Sequence, residues 1–289
     1  MRAALVLLVA TALLIVVPSS ARAEWNDGQE HESRILSDRW NVWVGGFVPS
    51  FKTSVAIGSR GLLGTLFRLE DTLGLEEDVS TGRIGGFYRF SAKRAILFDY
   101  TGMNRDATRQ LERDIVIGDG DDRVTYTAGA IIASKFDNDI FTVTYRHSFI
   151  NNGKTEAGFT AGLSAFNFDI ALQGTGTVDD GVNEPVERDV EADNSFLIPV
   201  PSFGMYINHA FTKKWILRMN AGILNLDVGD IEGRYLNTSV TVDYIITRHF
   251  GLGGGFTRQD VDVSDTGPDN PYAVEYRLGG PTLYFSLVF

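Results

Sequence analysis

Hydrophobic and polar residues alternate one by one along many segments of this chain, and the alternation is clearest at the C-terminus. One face of the extended chain carries Leu283, Phe285, Leu287 and Phe289, whereas the even positions from 280 to 286 carry small or polar side chains. A period of two residues is that of a β-strand, in which neighbouring side chains point to opposite faces. The chain is therefore predicted to end in a strand with one wholly apolar face.

The same alternation recurs upstream, and several of these strands carry charged residues opposite the apolar face. The charged positions are Arg83, Arg89, Asp99, Arg146, Arg218 and Asp243. A soluble sandwich points its apolar face to the core and its charges to water, whereas a membrane barrel points its apolar face to lipid and its charges to a polar lumen. Periodicity does not give the direction, so the chain ends and the connections must decide.

Short turns alternate with longer, acidic connections along the chain. The short turns are predicted at residues 91–94, 151–154, 212–214 and 248–250, and the longer segments at 58–80, 105–135, 173–194 and 264–271, with 229–233 as a short member of the second set. Outer-membrane barrels have this arrangement, with short periplasmic turns and long outer loops. It predicts ten strands with both ends periplasmic. Eight strands is the alternative, because residues 40–57 and 251–263 alternate poorly.

Two predicted strands change their apolar face along their length. Residues 157–172 change near Ala165, and residues 215–228 change near Ile223. We expect either a β-bulge at these points or the place where each strand leaves the bilayer.

The N-terminus has the three parts of a secretory signal peptide. Arg2 provides the basic start, residues 3–17 are almost entirely apolar, and Ala21 and Ala23 have the small-x-small spacing of a cleavage site. The apolar stretch is shorter than the roughly 20 residues that a membrane-spanning helix needs. We predict removal of residues 1–23 and export of one domain, residues 24–289, as an all-β, antiparallel transmembrane barrel of the outer membrane.

With these features in place, the chain resembles the small outer-membrane β-barrel proteins of the OmpA and OmpW types. Its terminal Phe289 and the apolar stripe before it resemble the C-terminal signal that the barrel assembly machinery recognises, and residues 69–78 resemble a motif in barrels of uncharacterised function. The resemblance implies a monomer surrounded by outer-membrane lipid and lipopolysaccharide. The OmpW-like group is associated with passage of small hydrophobic molecules.

Composition and charge exclude several other classes of function. The net charge of −11 argues against nucleic acid as a partner, because phosphate binding needs a basic face. The absence of cysteine excludes disulfides, thiol nucleophiles and cysteine-based metal sites. The acidic run at residues 118–122 lacks the ligand spacing of an EF-hand, so no metal site and no cofactor are expected.

Outer-membrane hydrolases need a histidine beside a nucleophile or an acid, and no such constellation is evident. His147 and Ser148 are neighbours on a predicted strand, so their side chains point to opposite faces. His31, His209 and His249 all fall at the predicted periplasmic level. A protease with its site on the outer side would therefore lack its base.

The predicted lumen charges allow two interpretations. Pairs of opposite charges could hold the barrel shut, or the excess of arginine could line a narrow path that prefers small anions. The first long segment is unusually apolar, with the residues Leu62, Leu63, Leu66, Phe67, Leu69, Leu73 and Leu75. It is expected either to pack on the barrel rim as a short helix or strand, or to form an apolar constriction at the mouth.

These observations give three hypotheses for function. The first is a non-enzymatic outer-membrane barrel, either structural or a narrow channel for small or hydrophobic solutes. The second is a surface adhesion or interaction protein that acts through its acidic loops. The third is an outer-membrane hydrolase.

Overall fold

A computed structural model describes residues 36–57, 66–117, 123–179, 186–267 and 272–288. The described chain is almost entirely β-strand, with a single short helix, α1. The strands are β1 Trp40–Phe47, β2 Ser50–Ile57, β3 Phe67–Arg68, β4 Thr81–Ser91, β5 Arg94–Gln110, β6 Ile115–Ile117, β7 Arg123–Tyr126, β8 Ile131–Asn151, β9 Thr155–Asp179, β10 Val186–Ala210, β11 Trp215–Val228, β12 Ile231–Ile245, β13 Phe250–Asp265 and β14 Tyr272–Val288, and α1 is Leu69–Leu73. Within the described ranges, no helix is long and apolar enough to cross a membrane.

The long strands form a closed antiparallel ring. Its order is β1, β4, β5, β8, β9, β10, β11, β12, β13 and β14, and β14 pairs back to β1. Strand β2 continues β1 beyond Val48 and Pro49 and pairs with the remaining length of β14. The break fits a proline, which has no N–H to donate to a ladder. Counting β1 and β2 as one interrupted strand gives the ten strands that the sequence predicted.

One half of the barrel, next to the short turns, is apolar outside and polar inside. On β14, Leu283 and Phe285 are 59% and 63% exposed on the exterior, while the alternate residues Tyr284 and Ser286 are buried in the interior. The exposed apolar belt includes Val44, Ile96, Phe141, Val143, Phe159, Leu163, Phe203, Met205, Ile207, Met219, Val240, Val242 and Phe256. Water does not tolerate an apolar surface of this extent, whereas lipid requires one. The transmembrane barrel is confirmed, and we call this part the membrane half.

The other half, next to the long connections, has the opposite polarity, and we call it the loop half. Its inward side chains form an apolar core that includes Phe51, Val55, Met103, Ile132, Phe136, Phe166, Phe168, Ile170, Leu172, Ile198, Val200, Val261, Val274, Tyr276 and Leu278. Its exposed outward side chains include Lys52, Asn104, Asp106, Lys135, Asn225, Asp227, Arg234, Arg258, Glu275 and Arg277. Apolar residues inside and charges outside are the pattern of a barrel in water.

The two changes of apolar face in the sequence mark the boundary between these halves. The pairings of β9 with β10 and of β11 with β12 pass Ala165 and Ile223 without a shift of register, so the expected bulges do not occur. The register shifts of the ring lie elsewhere, at Ser148 to Ile150 and at Arg89 to Ser91. The apolar residues move to the inner face because the barrel's surroundings change, not because the strands kink.

The four short turns are where the sequence placed them, but two of the expected long loops are largely strand. Strands β9 and β10 are 25 residues each and pair from Thr155–His209 to Val178–Val186, through most of the segment expected to be a loop. Strand β5 reaches Gln110, and β6 and β7 form a further hairpin whose β7 pairs with β9. A membrane crossing takes about 9–11 residues of tilted strand. More than half of β9 and β10 therefore extends beyond the bilayer.

Candidate functional site

Small inward side chains leave a cavity of about 170 Å³ inside the membrane half. Gly45 and Gly222 line it, and a Cβ atom built on Gly222 would have no heavy atom nearer than the Phe203 carbonyl oxygen at 3.8 Å. Four of the charged residues singled out from the sequence also line it, namely Arg83, Asp99, Arg146 and Arg218. The cavity and the charged groups around it form the candidate site.

Arg83 and Asp99 form an ion pair across the neighbouring strands β4 and β5. Arg83 Nε lies 2.9 Å from each carboxylate oxygen of Asp99, and Arg83 Nη1 donates to Thr257 Oγ1 at 3.3 Å. Alternate residues on both strands face the lumen, so two inward positions on paired strands come within reach of each other.

Arg218 and Asp243 form a second ion pair, on β11 and β12. Arg218 Nε lies 2.7 Å from Asp243 Oδ2, and the Tyr284 hydroxyl donates to Asp243 Oδ1 at 2.9 Å. A Cβ atom at Gly253 would lie only 2.5 Å from Asp243 Oδ1 and 2.3 Å from the Tyr284 ring. A glycine at this position of β13 is therefore what allows the carboxylate and the tyrosine to meet.

Arg89 pairs with Glu156, a residue that the sequence argument did not select. Arg89 Nη1 and Nη2 donate to the two carboxylate oxygens at 2.8 and 3.1 Å, and both side chains are almost completely buried. The hydroxyls of Ser148 and Tyr206 and the amide of Asn208 also surround this carboxylate, at 2.7, 3.1 and 3.2 Å. The sequence pattern did not draw attention to Glu156, because this residue directly follows a tight turn. Its position on β9 nevertheless has the parity of the polar residues that point inward.

Arg146 is the sixth charged residue selected from the sequence, and it differs from the others. Its guanidinium group lies over the Tyr206 ring, 4.0 Å from the ring centre, and the side chain is only 7% exposed. Within the described part of the chain, Arg146 has no ion pair, and its Nε has no hydrogen-bond partner. The structure thus brings all six charges to the lumen, but it pairs only four of them with one another.

Aromatic rings fill part of the interior of the loop half. The rings of Phe136, Phe166, Phe168 and Tyr276 pack together, with the Phe168 and Tyr276 ring centres 5.3 Å apart. The described part of the first long connection, including Phe67, lies inside the barrel and not on its rim. Of its apolar residues, Leu66 is exposed, whereas Leu62 and Leu63 lie outside the described residues.

A buried ion pair fixes this inserted segment to the wall. Arg105 Nη1 on β5 donates to Glu70 Oε1 on α1 at 2.7 Å, and the Glu70 carboxylate accepts the Thr53 backbone N–H at 2.9 and 3.1 Å. The Arg105 guanidinium is also 4.3 Å from the Phe51 ring centre and 4.8 Å from that of Phe136. The segment is thus a short strand and helix, as one of the two expectations had it, but it packs against the interior core and not on the rim. The apolar constriction at the mouth stays a prediction.

The histidines described in the structure do not form a catalytic group. His147 stacks on Phe159 at the barrel exterior, while Ser148 points into the lumen. His209 lies 2.8 Å from Thr155 Oγ1, and the Nδ1 of His249 lies 3.0 Å from the Val288 carbonyl oxygen. All three are at the turn end of the barrel. His31 and the acidic run 118–122 lie outside the described residues.

The C-terminal residues occupy the exterior face of β14. Leu283, Phe285 and Leu287 point to the apolar belt, and Phe289 lies outside the described residues. Their action as an assembly signal stays a prediction.

The chain is similar to solved structures but not to known sequences. No family model matches the chain, and the search of curated proteins finds no relative. The outer-membrane protease OmpT from Escherichia coli is 12% identical, with 87% of this chain and 97% of OmpT covered and a TM-score of 0.51. The toluene transporter TbuX of Ralstonia pickettii is 9% identical, with 93% and 97% covered and a TM-score of 0.32.

A third similar structure is the attachment invasion locus protein Ail of Yersinia pestis. It is 8% identical, with 84% of this chain and 97% of Ail covered and a TM-score of 0.22. At 12% identity the likeness to OmpT shows the fold alone, which is that of an outer-membrane β-barrel.

Proposed function

We propose that this chain is a non-enzymatic integral protein of the outer membrane whose lumen is closed, so that its role is structural and does not depend on flow of solutes along the barrel axis. The observation that carries this proposal is the apolar core of the loop half. Its aromatic rings come from the barrel wall itself, so they cannot leave as a mobile loop could.

The apolar core and the charged membrane half together block a continuous path. A hydrated solute in the cavity would have to lose its water to pass the Phe136, Phe166 and Phe168 layer, and an unpaired charge in such surroundings is costly. At the turn end, Leu36 packs with Ala210, Ile216 and Val288 inside the ring. Barrels of this size are commonly filled by their own side chains.

The remaining expectations about the cellular setting belong to the same proposal. The signal peptide of residues 1–23 directs export, and the barrel assembly machinery recognises the stripe that ends at Phe289. Outer-membrane lipid contacts the apolar belt, and lipopolysaccharide contacts the charged exterior above it. The folded chain is a monomer.

Single-channel recording in planar bilayers tests the closed lumen. The purified barrel, shown to be folded by its change of gel mobility on boiling, should give no conductance steps under conditions in which a porin does. Steady conductance of the unaltered chain that is lost in Arg146→Gln and Asp243→Asn would instead establish the narrow channel, the alternative within the same class.

A second candidate function is surface interaction, and the length of β9 and β10 favours it. These two 25-residue strands extend furthest beyond the bilayer and are held in register over 24 residue pairs. A rigid projection of this kind can present a binding surface. Shortening the hairpin by deleting residues 173–194 should abolish adhesion of cells that display the barrel if this candidate is right.

The hydrolase remains the least supported candidate. The described histidines all lie at the turn end of the barrel, and the likeness to a protease is one of fold alone. Incubation of the folded barrel with lipid A, phospholipid and peptide substrates is the direct test, and turnover of any of them would contradict the non-enzymatic proposal.

A further inference from the structure

The charged groups inside the membrane half do not balance. Four guanidinium groups, those of Arg83, Arg89, Arg146 and Arg218, point into it from the described strands. Three carboxylates on the strands of the ring, those of Asp99, Glu156 and Asp243, accompany them, and each is engaged by one arginine at 2.9 Å or less. Asp38 and Arg39, which precede β1 at the turn end, add one charge of each sign and leave the difference unchanged. Arg146 is the arginine left over.

Glu156 is the carboxylate best placed to pair with Arg146, but its two oxygens already accept hydrogen bonds from other residues. Arg89 donates to both oxygens, Ser148 and Tyr206 lie against Oε1, and Asn208 donates to Oε2. A carboxylate offers about four lone-pair sites, so these four neighbours, which make five contacts, leave none for a second guanidinium. Among the described residues, no hydrogen bond joins Glu156 to Arg146.

The setting of Arg146 leaves the edge of its guanidinium free. Its flat face is covered by the Tyr206 ring at 4.0 Å, and the group borders the cavity of about 170 Å³. Arg218, whose Nη2 also makes no hydrogen bond with a described residue, lines the same cavity. A guanidinium group presents its N–H donors in a plane, which matches the spacing of oxygens on a carboxylate or phosphate.

Neutral hydroxyl and amide groups make up much of the remaining lining of the cavity, beside the Asp99 carboxylate that Arg83 holds. They include Thr142, Thr144, Thr160, Ser164, Asn208 and Thr241. Hydroxyl and amide groups can donate to an anion without adding charge. One buried water needs roughly 10–15 Å³ of cavity volume. The cavity is therefore large enough to hold one small anion together with a few waters.

We propose that this cavity is a binding site for one small oxyanion, held by Arg146 and Arg218 and neutralising the surplus arginine. The site goes beyond the closed-barrel function proposed above and does not depend on it, since an anion enclosed during folding needs no conducting path. The ligand is defined by its chemistry, which is a phosphate-like or carboxylate group small enough for the cavity.

Equilibrium dialysis with radiolabelled inorganic phosphate tests the site. The chain is refolded in detergent with phosphate present, at constant ionic strength, so that access through the closed barrel does not limit binding. Unaltered protein should bind phosphate saturably, with one site per chain. Loss of a charge-assisted hydrogen-bond donor in Arg146→Gln should weaken binding about tenfold or more.

Two further variants separate a site from a general effect of charge. Gly222→Leu keeps every arginine but fills the cavity, and it should also abolish saturable binding. Arg258→Gln removes one arginine from the outer surface of β13, where its side chain is 55% exposed, and it should bind as the unaltered chain does. Each variant is first shown to fold by its gel mobility before and after boiling.

The outcomes are distinct. Absence of saturable phosphate binding in the unaltered chain overturns the proposal, and so does equal binding by the unaltered chain, Arg146→Gln and Gly222→Leu. If chloride at the same concentration displaces phosphate as well as acetate does, the site does not select oxyanions and that assignment fails. The bilayer recordings are independent of all these results, so the closed lumen and the anion site can fail separately.

Discussion

The membrane half and the loop half of this barrel are built from the same ten strands, yet they have opposite interiors. Below the boundary, Leu163 faces lipid and Ser164 faces the lumen. Above it on the same strand, Asp169 is outside and Phe168 and Ile170 are inside. The strand keeps its register and its alternation throughout. The medium outside the barrel wall, lipid or water, therefore determines which face of each strand is apolar.

The two interiors are also stabilised in different ways. The loop half has a packed apolar core, so its stability comes from the burial of apolar side chains away from water. The membrane half gains little from that source, because lipid is as apolar as any core, and its interior is held by ion pairs and hydrogen bonds. We therefore expect substitutions in the two halves to destabilise the barrel for different reasons.

Removal of one core ring should have the largest effect. Phe168→Ala leaves a cavity against Phe136 and Tyr276, and we expect a loss of about 3–5 kcal/mol in the free energy of unfolding. Phe159→Ala, on the same strand but on the lipid face, is the control and should cost far less, because lipid chains fill the space. Urea unfolding of vesicle-inserted protein, followed by tryptophan fluorescence, measures both. Equal losses would show that the loop half has no core of its own.

Breaking the deepest ion pair should have the next largest effect. Glu156→Gln keeps the shape of the side chain but removes the negative charge that the buried Arg89 guanidinium faces, and we expect a loss of roughly 3 kcal/mol. The matched control is Asp260→Asn, which removes the partner of Arg258 on the exposed exterior and should cost about 0.2–1 kcal/mol. The same unfolding titration compares them, and a cost for Glu156→Gln as small as the control would refute a structural role for the lumen pairs.

An exchange on one face of β12 should have a smaller effect and tests where the boundary lies. Val240 and Arg234 both point outward, Val240 into the apolar belt and Arg234 above it. Val240→Arg places a charge in lipid and should cost about 2 kcal/mol, whereas Arg234→Val should change the free energy of unfolding by less than about 0.5 kcal/mol. If both substitutions cost the same, the apolar belt does not end between these positions.

Several features of the fold could be predicted from residues alone. The stripe of Leu283, Phe285 and Leu287 indicated a strand with a lipid face, and the tight turns indicated the hairpins. Arg83, Arg146 and Asp243 were placed on inward faces by alternation. Local backbone geometry is enough for these conclusions, because a strand carries its two faces wherever it is paired.

The partners of these side chains could not be predicted in the same way. Glu156 and Arg89 are 67 positions apart, and Arg105 reaches Glu70 on a segment that the sequence left either on the rim or at the mouth. The surplus of Arg146 follows only from knowing that Glu156 is already occupied by other donors. These are properties of which strands are neighbours around the ring and at which height.

The sequence by itself determined about ten strands with one apolar and one polar face each, because a period of two survives any arrangement of the strands. The alternation of short turns with long connections favoured a membrane barrel, with the apolar faces outside. The tertiary structure alone decided that the changes of apolar face at Ala165 and Ile223 need no bulge, that four of the six selected charges pair with one another, and that the segment around Glu70 packs inside the barrel. The physical reason is that alternation along a strand specifies only that the strand has two different faces. Whether each face contacts lipid, water or another side chain depends on where the strand lies in the folded barrel.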